Sequence, residues 1–160
     1  MNTLQLTHIP VAKAEMLIRK PVAEVFEAFI NPEITTKFWF TRSSGKLEAG
    51  KQVTWTWEMS NLSVPVTVKV IEQHKRILIE WGNYDSTTTV EWIFTPYGND
   101  ATYVSITNSG FKGDGDKVVK DSLDSIGGFT WVLAELKALL EHNIELHAIA
   151  DAFPKGLREH

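Results

Sequence analysis

No cysteine occurs anywhere in this 160-residue chain. That absence removes disulfides, thiolate nucleophiles, iron–sulfur clusters and thiolate zinc sites in one step. Nor is there an apolar run long enough to span a bilayer, which takes about 20 such residues in succession. A basic stripe is missing too: 16 Lys and Arg stand against 20 Asp and Glu, both signs scattered, for a net charge of −4. The electrostatic footprint of a nucleic-acid binder is therefore lacking. The opening MNTLQLTHIPVAKAEM has neither the basic start nor the apolar core of a secretory signal, so the expected location is the cytoplasm. Without such a signal, the Asn61-Leu62-Ser63 sequon is read as chance.

Catalytic signatures are equally scarce. The chain holds no GxSxG, no Walker loop and no dinucleotide fingerprint. His142 and His147 are five apart, about 140° around a helix, and cannot form the one-face pair of HExxH. His74 sits in the polar turn EQHKR and reads as solvated. His147 with Asp151, and Glu141 with Glu145, have the four-residue spacing of exposed helix pairs. GDGDK (113–117) looks like the start of a calcium loop, but the twelfth position counted from Asp114 is Ser125, where a bidentate Glu is required. The stretch reads instead as a turn and helix start. No metal and no cofactor are expected.

What the chain does contain is period. In VTWTWEM, Val53, Trp55 and Trp57 alternate with Thr54, Thr56 and Glu58, the pattern of a half-buried strand. Further rows of one parity follow: Val64, Val66, Val68 and Val70; Ile77, Ile79 and Trp81; Val90, Trp92 and Phe94; Thr102, Val104 and Ile106. Short connections such as EQHKR and PYGND make neighbouring strands antiparallel. An earlier strand, VAKAEMLIR, precedes two short helices, the first opened by Pro21 and the second by Asn31-Pro32. From about Val118 to Ala150 the apolar residues Val119, Leu123, Ile126, Phe129, Leu133, Leu136, Leu140 and Ile144 recur at helical spacing. Gly127-Gly128 interrupts that helix and permits close backbone approach. One domain is expected over residues 1–160, with its core about 12–150.

Width then argues for a cavity. Six strands about 4.8 Å apart make a sheet roughly 25–30 Å wide, whereas one helix with its side chains is about 10–12 Å across. The sheet must curl around the helix and the short helices must plug part of the remainder. Each buried indole hides about 150–250 Å², a gross gain near 4–6 kcal/mol at about 25 cal/mol per Å². Trp55, Trp57, Trp81 and Trp92 share the inward parity. They either fill the space beside the helix or wall a concave apolar pocket.

The order of elements, with PVAEVFEAFINPEITTKFW, KLEAGKQVTWTWEM, PYGNDATYVSITNSGF and GGFTWVLAELKALLE, resembles the START-like (helix-grip, SRPBCC) superfamily. The similarity is to the branch named after the C-terminal domain of the Hsp90 ATPase activator, and it covers roughly residues 12–145. Ala49-Gly50-Lys51 departs from the usual paired-glycine turn, and Gly127-Gly128-Phe129 stands where a Gly-Trp pair is common. The resemblance implies an α+β helix-grip fold: a curved antiparallel sheet wrapped around a long C-terminal helix, with two short helices after the first strand. It also implies a pocket between sheet and helix. Phe38, Trp39 and Phe40 would lie at one rim and Phe111 at the other, with Trp55, Trp57, Trp81 and Trp92 as wall and Phe129 facing the sheet from the helix.

By parity and position, Asn108, Thr88, Ser125 and Thr130 are the polar groups that could orient a ligand, or else cap backbone. No charged general base is visible at an inward position. The expected function is binding of a hydrophobic small molecule, with no nucleic acid and no membrane insertion. The alternatives are a cyclase- or aromatase-like enzyme, drawing on Asn108, Thr88 or Ser125, and an interaction role like that of the Hsp90 activator. Exposed sheet edges make a homodimer a further expectation.

Overall fold

The computed structural model describes residues 4–157. Seven strands form one antiparallel sheet: β1 (Ala12–Ile18), β2 (Arg42–Ser43), β3 (Gln52–Trp57), β4 (Leu62–Glu72), β5 (Arg76–Trp81), β6 (Thr88–Tyr97) and β7 (Ala101–Ser109). Their order is β1-β7-β6-β5-β4-β3-β2, a meander with β1 brought back beside the last strand. The two-residue β2, paired with Thr56 and Trp55 of β3, adds a seventh strand to the six read from periodicity. Helices α1 (Val22–Ile30) and α2 (Pro32–Thr35) follow β1, and α3 (Gly115–His142) follows β7. A single turn, α4 (Ala148–Asp151), comes after it. The fold is the expected α+β helix grip.

Local chemistry accounts for most of the boundaries. Asn31 Oδ1 accepts the Glu33 N–H at 3.1 Å and Pro32 opens α2, a cap followed by the residue that has no N–H to lose. Pro21 lies one residue outside α1 instead of within its first turn, and its carbonyl accepts the N–H groups of Glu24 and Val25. Asp114 Oδ1 accepts the Lys117 N–H at 2.9 Å and starts α3. Asn143, at φ +54°, ends it, eight residues short of the boundary read from periodicity. A left-handed residue of this kind is a common helix stop. Gly127-Gly128 does not break the helix, and a Cβ placed on either glycine would find no atom within 4 Å.

Two expected faces are revised. Val68 pairs with Ile79 but Val70 with Leu78, so a bulge at Lys69 inserts one residue and reverses the parity beyond it. Val70 therefore turns outward, and Ile71, opposite Ile77, packs on the core instead. On α3 the buried side chains are Val118, Ser122, Phe129, Val132, Leu133, Glu135, Leu136 and Leu139. Leu123, Ile126 and Ile144 are exposed, Leu123 at 64%. After Val118, which packs with Ala12, the early turns of the helix bury the small polar Ser122 and half-bury Ser125, while Leu123 and Ile126 stay exposed.

Helix α3 runs closest to β1, while α1 lies over β6 and β7. A small polar clamp fixes the far end of α3 to β1. Lys137 Nζ donates to the Leu17 carbonyl at 3.0 Å and to Glu141 Oε2 at 2.7 Å, and the Arg19 N–H donates to the same oxygen at 2.8 Å. Glu141 is accordingly half-buried and not the exposed carboxylate its spacing from Glu145 suggested. Burial alone pushes its carboxyl up, but the Lys137 and Arg19 hydrogen bonds outweigh it and hold the group below the usual carboxylate range. His74 is also less solvated than its turn implied: at φ +63° its ring meets Phe26 edge-on at 5.6 Å.

A lowered folded pKa gives stability that is present above the unfolded value and lost as pH falls through the folded one. Glu141→Gln is expected to cost about 1–2 kcal/mol at pH 7, the low part of the range for a charged hydrogen bond because the helix end is partly open to water. In denaturant melts the gap to the parent should close as the pH drops below the ordinary carboxylate range.

Candidate functional site

Between the first half of α3, the ends of β5 and β7 and the segment around α4 lies a cleft of about 710 Å³. Pockets for small molecules commonly fall between about 300 and 1,000 Å³. Its inner wall is aromatic: Trp39, Trp81 and Phe129, with ring centroids 5.7–5.9 Å apart. Gly127 and Gly128 leave its helical side open, so the glycine pair makes room beside the sheet rather than bringing backbone against it.

Trp39 decides how the other rings are arranged. The turn after α2 carries it into the gap between sheet and α3, where its ring lies 4.8 Å from Trp55, 5.5 Å from Phe40, 6.0 Å from Trp92 and 6.2 Å from Trp57. Phe40 stacks on Trp55 at 4.6 Å and 18°. Of the residues expected at the site, Trp39, Trp81, Asn108, Phe111, Ser125 and Phe129 therefore line the cleft. Phe40, Trp55, Trp57 and Trp92 lie behind Trp39 in the hydrophobic core. Phe38, expected at the rim, is core as well, 2% exposed and edge-on to Phe29 at 5.4 Å. Trp92 Nε1 is buried with no hydrogen-bond partner.

The polar groups form one connected set. Thr88 Oγ1 accepts the Trp81 Nε1–H at 3.0 Å and an Asn108 Nδ2–H at 2.9 Å. Asn108 gives its other N–H to the Thr89 carbonyl at 2.9 Å, and its Oδ1 accepts the Ser125 hydroxyl at 2.8 Å. Sheet and helix are thereby joined at the cleft through neutral side chains. Such groups can orient a ligand oxygen or amide, but none is a general base. Thr130 is exposed and spends its hydroxyl on the Ile126 carbonyl. Among the described residues no cluster of His, Asp and Glu could hold a metal ion, and no helix is long and apolar enough to cross a membrane.

Sequence reasoning missed the outer wall. Trp131, Ile149 and Phe153 line the cleft, Phe153 edge-on to Trp131 at 6.1 Å. The available signal was Asn143, an αL-tolerant residue inside a stretch read as continuous helix. What returns this segment to α3 is Glu135, 4% exposed, whose Oε1 accepts the Ala148 N–H at 3.2 Å while Oε2 has no partner. Burial pushes the Glu135 carboxyl up, and the N–H groups of Ala148, Ile149 and His147, with the nearby His147 ring, only partly offset it.

A raised folded pKa gives stability that is full below the unfolded value and is lost as pH rises through the folded one. The parent should therefore lose stability relative to Glu135→Gln as the pH climbs above the ordinary carboxylate range. Paired thermal melts across pH measure this, and the protection of the Ala148 and Ile149 amides, relative to their intrinsic exchange at each pH, should fall over the same interval in the parent alone.

Comparison with known proteins agrees with this fold. Among solved structures, protein SSP2350 from Staphylococcus saprophyticus is 28% identical, with a TM-score of 0.75 over 87% of this chain and 97% of that one. DynU16, from the dynemicin biosynthetic locus, is 19% identical with a TM-score of 0.74 over 84% of this chain and 48% of that one. The Aha1 dimer from Colwellia psychrerythraea is 15% identical with a TM-score of 0.72 over 83% and 97%. Among curated sequences no protein matches. The family model described as activator of Hsp90 ATPase homolog 1-like protein matches residues 19–141, the stretch from the end of β1 to the Glu141 clamp, and the chain belongs to that family within the START-like, helix-grip superfamily.

Proposed function

We propose that this protein binds an apolar, aromatic small molecule in the cleft between α3 and the sheet. The observation that carries the reading is a cavity of about 710 Å³ walled by Trp39, Trp81 and Phe129 and bordered by the neutral Ser125–Asn108–Thr88 set. Flat rings offer apolar area without rotamer freedom to lose, and a few neutral polar groups orient what lies against them. A cyclase-type reaction would draw on that neutral set and on Asp121 and Asp124, which line the cleft paired with Lys117 and Lys120, so recovery of a bound compound unchanged counts for binding and its conversion counts for an enzyme.

Fluorescence tests the reading directly, because Trp39, Trp81 and Trp131 all line the cleft. Titration with 1-naphthol should quench the protein's emission saturably, and Trp81→Ala should weaken the binding by about tenfold, or 1.4 kcal/mol. Gly128→Ala separates fold from site. A Cβ there meets no atom, so the helix should gain about 0.5–1 kcal/mol, yet the methyl group enters the cleft and should weaken naphthol binding. Absence of quenching by naphthol and related ring compounds would defeat the reading.

Self-association is a second reading, favoured by the open edge of β1 with exposed Ile9 and Val11 just before it. The Colwellia Aha1 neighbour is itself described as a dimer. Sedimentation over a wide concentration range should reveal a dimer that Val11→Asp shifts to monomer.

A further inference from the structure

Phe111 touches two cavities. One is the cleft, and the other is a smaller cavity of about 390 Å³; Phe111 and Asp121 are the residues that line both. The two differ in chemistry. Rings wall the first, whereas the second is lined by Asn83, Ser86, Thr88 and the charged Asp85, Lys112 and Lys117. With Asp121 counted, two acidic and two basic groups cancel there; Lys112 Nζ donates to the Thr87 carbonyl and Lys117 Nζ pairs with Asp121. A chamber of that kind suits an uncharged polar group better than an ion. Thr88 Oγ1 already accepts two N–H groups, so what it retains is its own hydrogen, a donor for a ligand oxygen.

The ring of Phe111 is buried with Ala12 and Val118, outside the main aromatic cluster. It rides on a short loop between Gly110 at φ +86° and Gly113 at φ +119°, left-handed positions that favour glycine. Its place between an apolar and a polar space follows from that loop and not from the sheet.

We propose that Phe111 is the partition that sets ligand length at this site. The matching ligand class is a flat apolar body carrying an uncharged, oxygen-bearing tail, with the body among Trp39, Trp81 and Phe129 and the tail beyond Phe111 beside Thr88. This rests on the binding reading above and adds a class of ligand to it.

Two probes with the same ring system test it: 1-naphthol, and 1-naphthyl β-D-glucopyranoside, which adds an uncharged polyhydroxyl tail. Phe111→Ala should shift the ratio of glucoside to naphthol affinity about tenfold toward the glucoside, or 1.4 kcal/mol. Phe111→Leu, which keeps an apolar plug on Ala12 and Val118, should act in the same direction should the alanine variant fail to fold. Phe111→Trp should shift that ratio the other way, against the glucoside. Adding Thr88→Val to Phe111→Ala should remove the gain. A ratio that is equal in the parent and in the alanine or leucine variant overturns the partition while leaving the binding reading intact. If naphthol binds neither the parent nor any variant, the binding reading falls and the partition with it.

Discussion

A seven-stranded sheet is wider than the single helix laid across it, and most of this structure answers that mismatch. Helix α3 runs closest to β1, and α1 lies over β6 and β7. Over the strands between, rings take the place of a second helix. Trp39 is the wedge: one indole lies within 6.2 Å of six other aromatic rings. Side chains of this size are the economical way to fill a wide gap from a short segment, because each buries about 150–250 Å² and loses few torsions.

The wedge stops short of one end, and there the cleft opens. Small residues keep it open. Gly127 and Gly128 present no side chain and Ser125 presents a short one, while the larger Leu123 lies at the exposed rim of the cleft and Ile126 lies outside it. The outer wall is a different solution. Asn143 stops α3, and the buried Glu135 brings the next segment back by accepting the Ala148 N–H. An ionised carboxylate in such a place is poorly solvated and half-partnered, which ties that wall to pH.

Neutrality governs the chemistry of the site. The polar groups beside the rings are an indole N–H, two hydroxyls and an amide, bonded in series from Trp81 to Ser125. Asp121 and Asp124, whose carboxylates also line the cleft, are paired with Lys117 and Lys120. A neutral series of this kind discriminates shape and hydrogen bonding.

Periodicity by itself determined the element order, the antiparallel sheet and the inward row Trp55, Trp57, Trp81 and Trp92, because a side-chain period of two or 3.6 follows from backbone geometry alone. The resemblance carried by stretches such as KLEAGKQVTWTWEM added the helix grip, and the turn residues Asn31-Pro32 located α2. Three further matters were tertiary decisions. The bulge at Lys69 turned Val70 out and Ile71 in, since one unpaired residue reverses parity without leaving a compositional mark. The exposure of Leu123 and Ile126 could not be read from apolar spacing, because which flank of a helix meets the sheet depends on what already occupies the space. Above all, only packing sorted the rings. Parity pointed all four indoles inward, but Trp39, arriving from a loop with no period of its own, covered Trp55, Trp57 and Trp92 and left Trp81 at the cleft.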